Sequence, residues 1–195
     1  MEQPSPLEAI PAALTPTLEG QLREMYGRAA YTHKTHEKMA DAYIARYKLI
    51  KTTEIILSAI VAGSLLAAVL GESRAGTIVG TVISTVLFGF TLYFKEASLG
   101  EQAQKHSAVA SRLWGVREAL LSLLVDMNDG RAIEDVRRER DRQNETLEDI
   151  YKSAPRTNDA AYRAAQNALK SAEELFFTDA ELDKMLPKKL RTNNS

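Results

Sequence analysis

Two long apolar segments, separated by a short polar stretch, dominate the pattern of hydrophobic and polar residues along the chain. The first has no charged residue over 55–71, and the second has none over 75–94. At a rise of about 1.5 Å per residue, each helix would extend roughly 25 to 30 Å, which matches the hydrocarbon thickness of a bilayer. The pattern predicts a transmembrane helical hairpin with spans at about 53–71 and 75–94.

A hairpin buried inside a soluble helical bundle is the alternative interpretation. A helix buried in so small a bundle would normally retain a polar stripe, whereas residues 75–94 contain hydroxyl groups but no charge and no amide. We therefore favour an all-α membrane protein, in which the transmembrane hairpin is continued by cytoplasmic helices packed as a bundle.

Outside the two spans, apolar and small residues recur at alternating steps of three and four, as in a coiled-coil seam. One seam precedes the first span and another follows the second, so the two helices can continue the hairpin as an antiparallel pair. Facing residues should then have numbers that add up to about 145, which brings His36 and His106 within about one turn of each other. We interpret these seam histidines as a contact that sets the register. A pH-sensitive contact is the alternative, because adjacent imidazoles repel when both are charged.

Prolines mark the ends of the helical region. Four of the six prolines fall in the first sixteen residues, which favours a disordered tail over 1–17. The absence of proline over 17–154 predicts long helices that run uninterrupted through the membrane boundary. The predicted cytoplasmic helices cover 18–52, 95–128, 132–153, 158–177 and 178–186, and a short tail follows at 191–195.

The distribution of charge predicts the orientation in the membrane and limits the possible partners. Cations flank the two spans at the ends away from the loop, whereas the loop carries a single arginine, so both termini are predicted to be cytoplasmic. A net charge of −1 gives no general attraction to nucleic acid. The flanking cations are Arg46, Lys48, Lys51, Lys95 and Lys105.

The sequence contains no convincing catalytic set. It has no phosphate-binding or dinucleotide glycine loop, no HExxH motif and no cysteine. His33 and His36 lie one turn apart beside Glu37, but a third clear metal ligand is missing. We predict a protein that is not an enzyme and that needs neither a metal nor a cofactor.

Small residues repeat every four positions in both spans, the spacing that lets helix backbones approach closely. A row of threonines borders the stripe in the second span. Packing within one hairpin, with hydroxyls bonded to their own helix, is one interpretation; assembly of several hairpins around a pore is the other. The candidate packing or oligomerisation residues are Ala59, Gly63, Ala67, Gly76, Gly80 and Ser84, and the candidate pore-lining residues are Thr77, Thr81 and Thr85.

Three local patterns together resemble a known family. The segment YTHKTHEKMADAYIARYKLIK precedes the hairpin, an H-x6-LW-x2-R pattern (His106, Leu113, Trp114, Arg117) follows it, and a distal helix pair is broken at IYKSAPRTNDAAY. These features resemble the SLATT domain, the SMODS and SLOG-associating two-transmembrane effector family of bacterial conflict systems. The resemblance covers residues 18–190 as a single SLATT-like domain.

The resemblance implies an effector of antiphage defence in the bacterial inner membrane. Such an effector would act on the lipid bilayer as a homo-oligomer and would arrest growth by forming pores or disrupting the membrane. Its trigger would be a nucleotide second messenger or a partner protein that senses or generates one. A constitutive membrane scaffold for a cytoplasmic partner, without pore activity, is the alternative function.

Overall fold

The computed structural model describes residues 17–71 and 74–191, and the regular structure in these residues is helical. The predicted disordered tail at 1–17 and the tail at 191–195 lie almost entirely outside the described residues. The elements are α1 Leu18–Gly71, α2 Arg74–Glu96, α3 Leu99–Asn128, α4 Ile133–Ser153, α5 Asp159–Lys170, α6 Asp179–Met185 and a 3-10 turn at Lys188–Leu190.

Helix α1 is the axis of the fold. It is one continuous helix of 54 residues, about 80 Å long at the usual rise, and no proline interrupts its backbone hydrogen bonds. Helices α2 and α3 both pack against α1, one after the other along its length. The sequence predicts this antiparallel arrangement from its apolar runs and seam spacing.

The return helix is broken, contrary to the prediction of an uninterrupted helix across the membrane boundary. Helix α2 ends at Glu96 and α3 begins at Leu99. Ser98 has φ of 45° and a left-handed conformation, and a right-handed helix cannot continue through such a residue. Two separately oriented helices, rather than one, therefore face α1.

A distal bundle follows the hairpin. It consists of the part of α1 before residue 52 together with α3, α4 and α5. Helix α4 packs on α3, and the apolar faces of α1, α3 and α4 enclose one core, while α5 packs separately on α1. The fully buried side chains of this core include Leu22, Met25, Leu113, Leu120, Leu123, Val136 and Ile150.

The helix predicted over 158–177 is too long. Helix α5 begins after Asn158, whose side-chain oxygen accepts a hydrogen bond from the backbone N–H of Ala161 at 2.9 Å, as an N-cap does. It ends at Lys170 because the chain turns: Glu173 has φ of 49° and Leu175 has φ of 88°. Residues 171–178, hereafter the 171–178 connection, lead to α6, which starts at a Thr178 capping box.

Candidate functional site

The apolar segments of α1 and α2 expose most of their surface. In the most apolar window of α1, none of the residues is buried, and the window in the segment that includes α2 is 6% buried. These helices therefore do not form the buried core of a soluble domain within the described residues. Large apolar side chains on the exposed surface include Ile55, Ile56, Leu66, Val69, Val82, Val86 and Phe88.

Within the hairpin, α2 lies close against α1 at Gly80. This glycine is buried, and a Cβ built on it would lie 2.6 Å from Ser64 Oγ. The Ser64 hydroxyl donates to the Val61 carbonyl at 2.9 Å, so its polar group is satisfied inside its own helix. Gly80 therefore allows close packing inside one hairpin, which is the first of the two interpretations for small residues in this span.

The other predicted small residues do not share that environment. Gly76 is half-buried and Ser84 is exposed, although both lie near Gly80 on the same helix. In α1, Ala59, Gly63 and Ala67 are all exposed, and a Cβ built on Gly63 would meet nothing within 4 Å. This stripe, hereafter the Gly63 face, is therefore not used in packing against α2.

The predicted pore-lining threonines form an exposed row on α2. Thr77, Thr81 and Thr85 are each exposed. The hydroxyl of Thr81 donates to the Thr77 carbonyl at 2.8 Å, and that of Thr85 donates to the Thr81 carbonyl at 2.9 Å. Hydroxyls bonded in this way can lie in a nonpolar environment, and each oxygen can still accept a hydrogen bond from water.

The structure brings the two seam histidines into contact. His36 Nδ1 and His106 Nδ1 are 2.9 Å apart, so one ring donates and the other accepts, and Tyr43 stacks on His106 with ring centroids 5.6 Å apart. Both histidines are buried. Burial, together with the charges of His106 and His33, lowers the pKa of His36 from 6.5 to about 4, and burial lowers the pKa of His106 as well.

The remaining residues of the H-x6-LW-x2-R pattern surround the same part of the bundle. Leu113 is fully buried in the core. The Arg117 guanidinium lies over the Trp114 ring, 4.6 Å from its centroid, and the His33 ring lies 5.3 Å from the Trp114 ring on centroids. His33 Nδ1 is 2.9 Å from the Ala110 carbonyl oxygen, which fixes the imidazole as a donor to α3.

A polar groove of about 550 Å³ lies between α1, α3 and the 171–178 connection. Lys34 and Lys38, one turn apart on α1, both bind Glu174 of the connection. The Nζ atoms of Lys34 and Lys38 lie 2.6 Å and 3.1 Å from the Glu174 carboxylate, and Lys34 also contacts Glu37 at 2.7 Å. We call this the Lys34–Lys38 groove.

The ion pairs in the groove shift the pKa values of both the lysine and the glutamate. Burial alone lowers the pKa of Lys34, but hydrogen bonds to Glu174 and Glu37 outweigh this effect and raise the pKa above its ordinary value. Hydrogen bonds from Lys34 and Lys38 lower the pKa of Glu174. Sequence reasoning missed this groove, because Glu174 falls in a stretch that the sequence predicts as helix. The signal in the sequence that could have indicated the groove is the pair Lys34 and Lys38, spaced i,i+4 on a helix that packs in a bundle.

The candidate metal residues do not converge. His33 faces Ala110 and His36 faces His106. Over residues 17–71 and 74–191, no group of three or more histidine or acidic side chains could hold a metal ion.

A helical hairpin with exposed apolar faces, joined to a polar helical bundle, defines an all-α membrane protein with two spans. The family model for the SMODS and SLOG-associating 2TM effector domain family 4 matches residues 18–181. The chain therefore belongs to this SLATT family, which implies a membrane effector of conflict systems. No curated protein and no solved structure matches the chain significantly.

Proposed function

We propose that this protein is a membrane effector that assembles in the bacterial inner membrane and permeabilises it when a nucleotide-derived signal arrives, stopping growth. The observation that carries the proposal is the exposure of the Gly63 face. Small residues at intervals of four let helices approach closely, and a single hairpin leaves this stripe without a packing partner. A second copy of the hairpin would supply one.

The threonine row supports the permeabilising part of the proposal. Around an assembled ring of hairpins, Thr77, Thr81 and Thr85 would offer hydroxyl oxygens to water and ions, while apolar side chains on other faces would contact lipid. The distribution of cations supports an orientation with both termini and the distal bundle in the cytoplasm. This orientation gives a cytoplasmic signal direct access to the bundle.

Controlled expression tests the proposal against the scaffold alternative. The full-length protein is produced in bacteria from an inducible promoter, and membrane potential is followed with a voltage-sensitive dye. Under the proposal, activated protein depolarises the cells and arrests growth. A scaffold at equal abundance leaves the membrane potential unchanged, and that result would overturn the proposal.

A further inference from the structure

The Lys34–Lys38 groove is unusual because its cations are held by a carboxylate from a distant part of the chain. Lys34 is almost fully buried, with 10% of its side chain exposed. A buried ammonium group requires an anionic partner, since removal from water without one is costly. Glu37 supplies one such partner from the next turn of α1, at 2.7 Å, and Glu174 supplies a second from 140 positions further along the chain.

No residue of the 171–178 connection is fully buried. The Glu174 side chain is 40% exposed, and the residues on either side, Glu173 and Leu175, both adopt left-handed conformations that are unfavourable for residues other than glycine. Helix α6, which follows, has no buried residue. The ion pairs to Lys34 and Lys38 are therefore the charged attachment of the connection, beside the half-buried Leu175 and a backbone hydrogen bond from Glu174 to Ala168 at 2.9 Å.

The groove already accommodates an anionic group at the position of Glu174. Glu37 and Asp41 also line the groove, and their negative charges would repel an anion. The Glu174 carboxylate nevertheless binds there, because the ammonium groups of Lys34 and Lys38 both contact it. The hydroxyl residues Ser107 and Ser111 line the same cavity. Their hydroxyl groups can donate hydrogen bonds to the several oxygens of a phosphate, more than a carboxylate offers.

We propose that the Lys34–Lys38 groove is a binding site for a soluble phosphate-bearing ligand, and that Glu174 occupies it as an internal substitute until the ligand displaces it. A volume of about 550 Å³ accommodates a ligand of nucleotide size. Trp114 on the groove wall is 40% exposed, and the part of its ring that Arg117 does not cover offers an aromatic surface for a planar group.

A phosphate in a lipid headgroup fits this groove less well than a soluble phosphate-bearing ligand does. Lys38 lies fifteen positions before Thr53, so it stands about 20 Å along α1 from the predicted start of the span. Headgroups at the bilayer surface would not reach the groove without distortion of the membrane. The soluble ligand is therefore the source to which the proposal commits.

Displacement of Glu174 would remove the ion pairs that hold the 171–178 connection, and the α6 that follows it, near α1. This consequence rests on the proposed function, because release would be the step that lets the hairpins assemble or open. Binding itself does not depend on that function and can be measured separately.

Trp114 makes the test direct, because it is the single tryptophan of the chain and lines the groove. The full-length protein is placed in phosphatidylcholine nanodiscs and titrated with pyrophosphate and with ATP as probes, while Trp114 fluorescence is recorded. We expect saturable binding of at least one probe, and about tenfold tighter binding to Glu174→Gln, because a competing charge-assisted contact is removed. Lys38→Met should bind about tenfold more weakly.

Matched variants separate the groove from general charge effects. Glu173→Gln removes the same charge one position away and should bind as the wild type does, and Lys105→Met is the corresponding control for the lysine. Circular dichroism verifies that each variant is helical, and Lys38→Gln replaces Lys38→Met if the latter unfolds. Absence of saturable binding in both wild type and Glu174→Gln, or equal tightening by Glu173→Gln and Glu174→Gln, would overturn the proposal.

Two further measurements distinguish a soluble ligand from a lipid, and ligand binding from membrane permeabilisation. Binding that appears only when nanodiscs contain phosphatidylinositol phosphates would overturn the soluble ligand in favour of a lipid. Dye leakage is measured on the same variants in vesicles of phosphatidylethanolamine and phosphatidylglycerol. Binding without leakage would count against the proposed function but leave the site intact, whereas leakage without binding would count against the site.

Discussion

His36 and His106 share one hydrogen bond between their Nδ1 atoms, 2.9 Å apart, in the seam that joins α1 to α3. The bond requires one ring to donate and the other to accept, so it is lost when both imidazoles carry two protons. Two histidines that are neutral in the folded protein thus connect the helices that continue the membrane hairpin.

The histidine pair predicts that the stability of the bundle depends on pH. The pKa of His36 is about 4 in the folded protein and 6.5 in the unfolded chain, so the unfolded chain binds more protons between these values. Stability is therefore complete above about pH 6.5 and is lost as the pH falls toward 4, by up to about 3 kcal/mol. Denaturant unfolding in detergent, followed by Trp114 fluorescence from pH 4.8 to 7, measures this slope.

Replacing the titrating ring provides the control. His36→Gln should unfold with a smaller pH dependence than the wild type in this range, and the part that remains comes from His106, whose pKa is also lowered by burial. The contribution of Glu174, whose pKa is lowered from 4.5, is lost mainly at lower pH. An unchanged slope in His36→Gln would show that other groups cause the dependence.

The orientation predicts where reporters will lie. The spans are flanked by five cations at the ends away from the loop and by one arginine in the loop, so a reporter fused after Ser195 should be cytoplasmic and one inserted at Ser73 should be outside. Cysteine labelling with a membrane-impermeant reagent, after introduction of single cysteines at these two positions, measures the same property independently. Labelling of the C-terminal position from outside would remove the route for a cytoplasmic signal.

The threonine row predicts a change in conduction without a change in assembly. Thr81→Val removes an exposed hydroxyl while nearly preserving side-chain shape, and the hydroxyl bonds only within its own helix. We expect normal crosslinking between hairpins and an altered single-channel conductance in planar bilayers. Conductance identical to that of the wild type would remove Thr81 from the pore.

Much of the fold was accessible from the sequence because it depends on long periodic patterns. The uncharged spans and the three-four spacing of the seams predict the hairpin and the approach of His36 to His106. The left-handed conformations at Ser98 and Glu173 were not predictable, because residues other than glycine adopt them only when tertiary contacts compensate their strain. Glu174, which depends on the second of these turns, was missed for that reason.

The small residues of the two spans show a second property that the sequence alone could not predict. Gly80 and Gly63 both lie in stripes with intervals of four, and periodicity alone does not tell which stripe faces the partner helix of the same chain. The structure separates them, since a side chain at Gly80 would collide with Ser64 and one at Gly63 would meet nothing within 4 Å.

This difference provides a matched pair of substitutions. Gly80→Leu should force α2 away from α1 and lower the stability of the single hairpin, by about 1 to 3 kcal/mol as overpacking does. Gly63→Leu should leave the single hairpin as stable as the wild type, because its side chain enters open space. Thermal unfolding in detergent, at protein concentrations where the hairpin is monomeric, compares the two; equal destabilisation by both would contradict the packing described here.

Dye leakage from vesicles containing Gly63→Leu, combined with crosslinking in the same vesicles, tests assembly through the Gly63 face most directly. If hairpins assemble there to permeabilise the membrane, Gly63→Leu gives a correctly folded protein that forms no crosslinked oligomers and releases no dye, while the wild type does both once activated. Wild-type leakage from a folded Gly63→Leu protein would contradict this account.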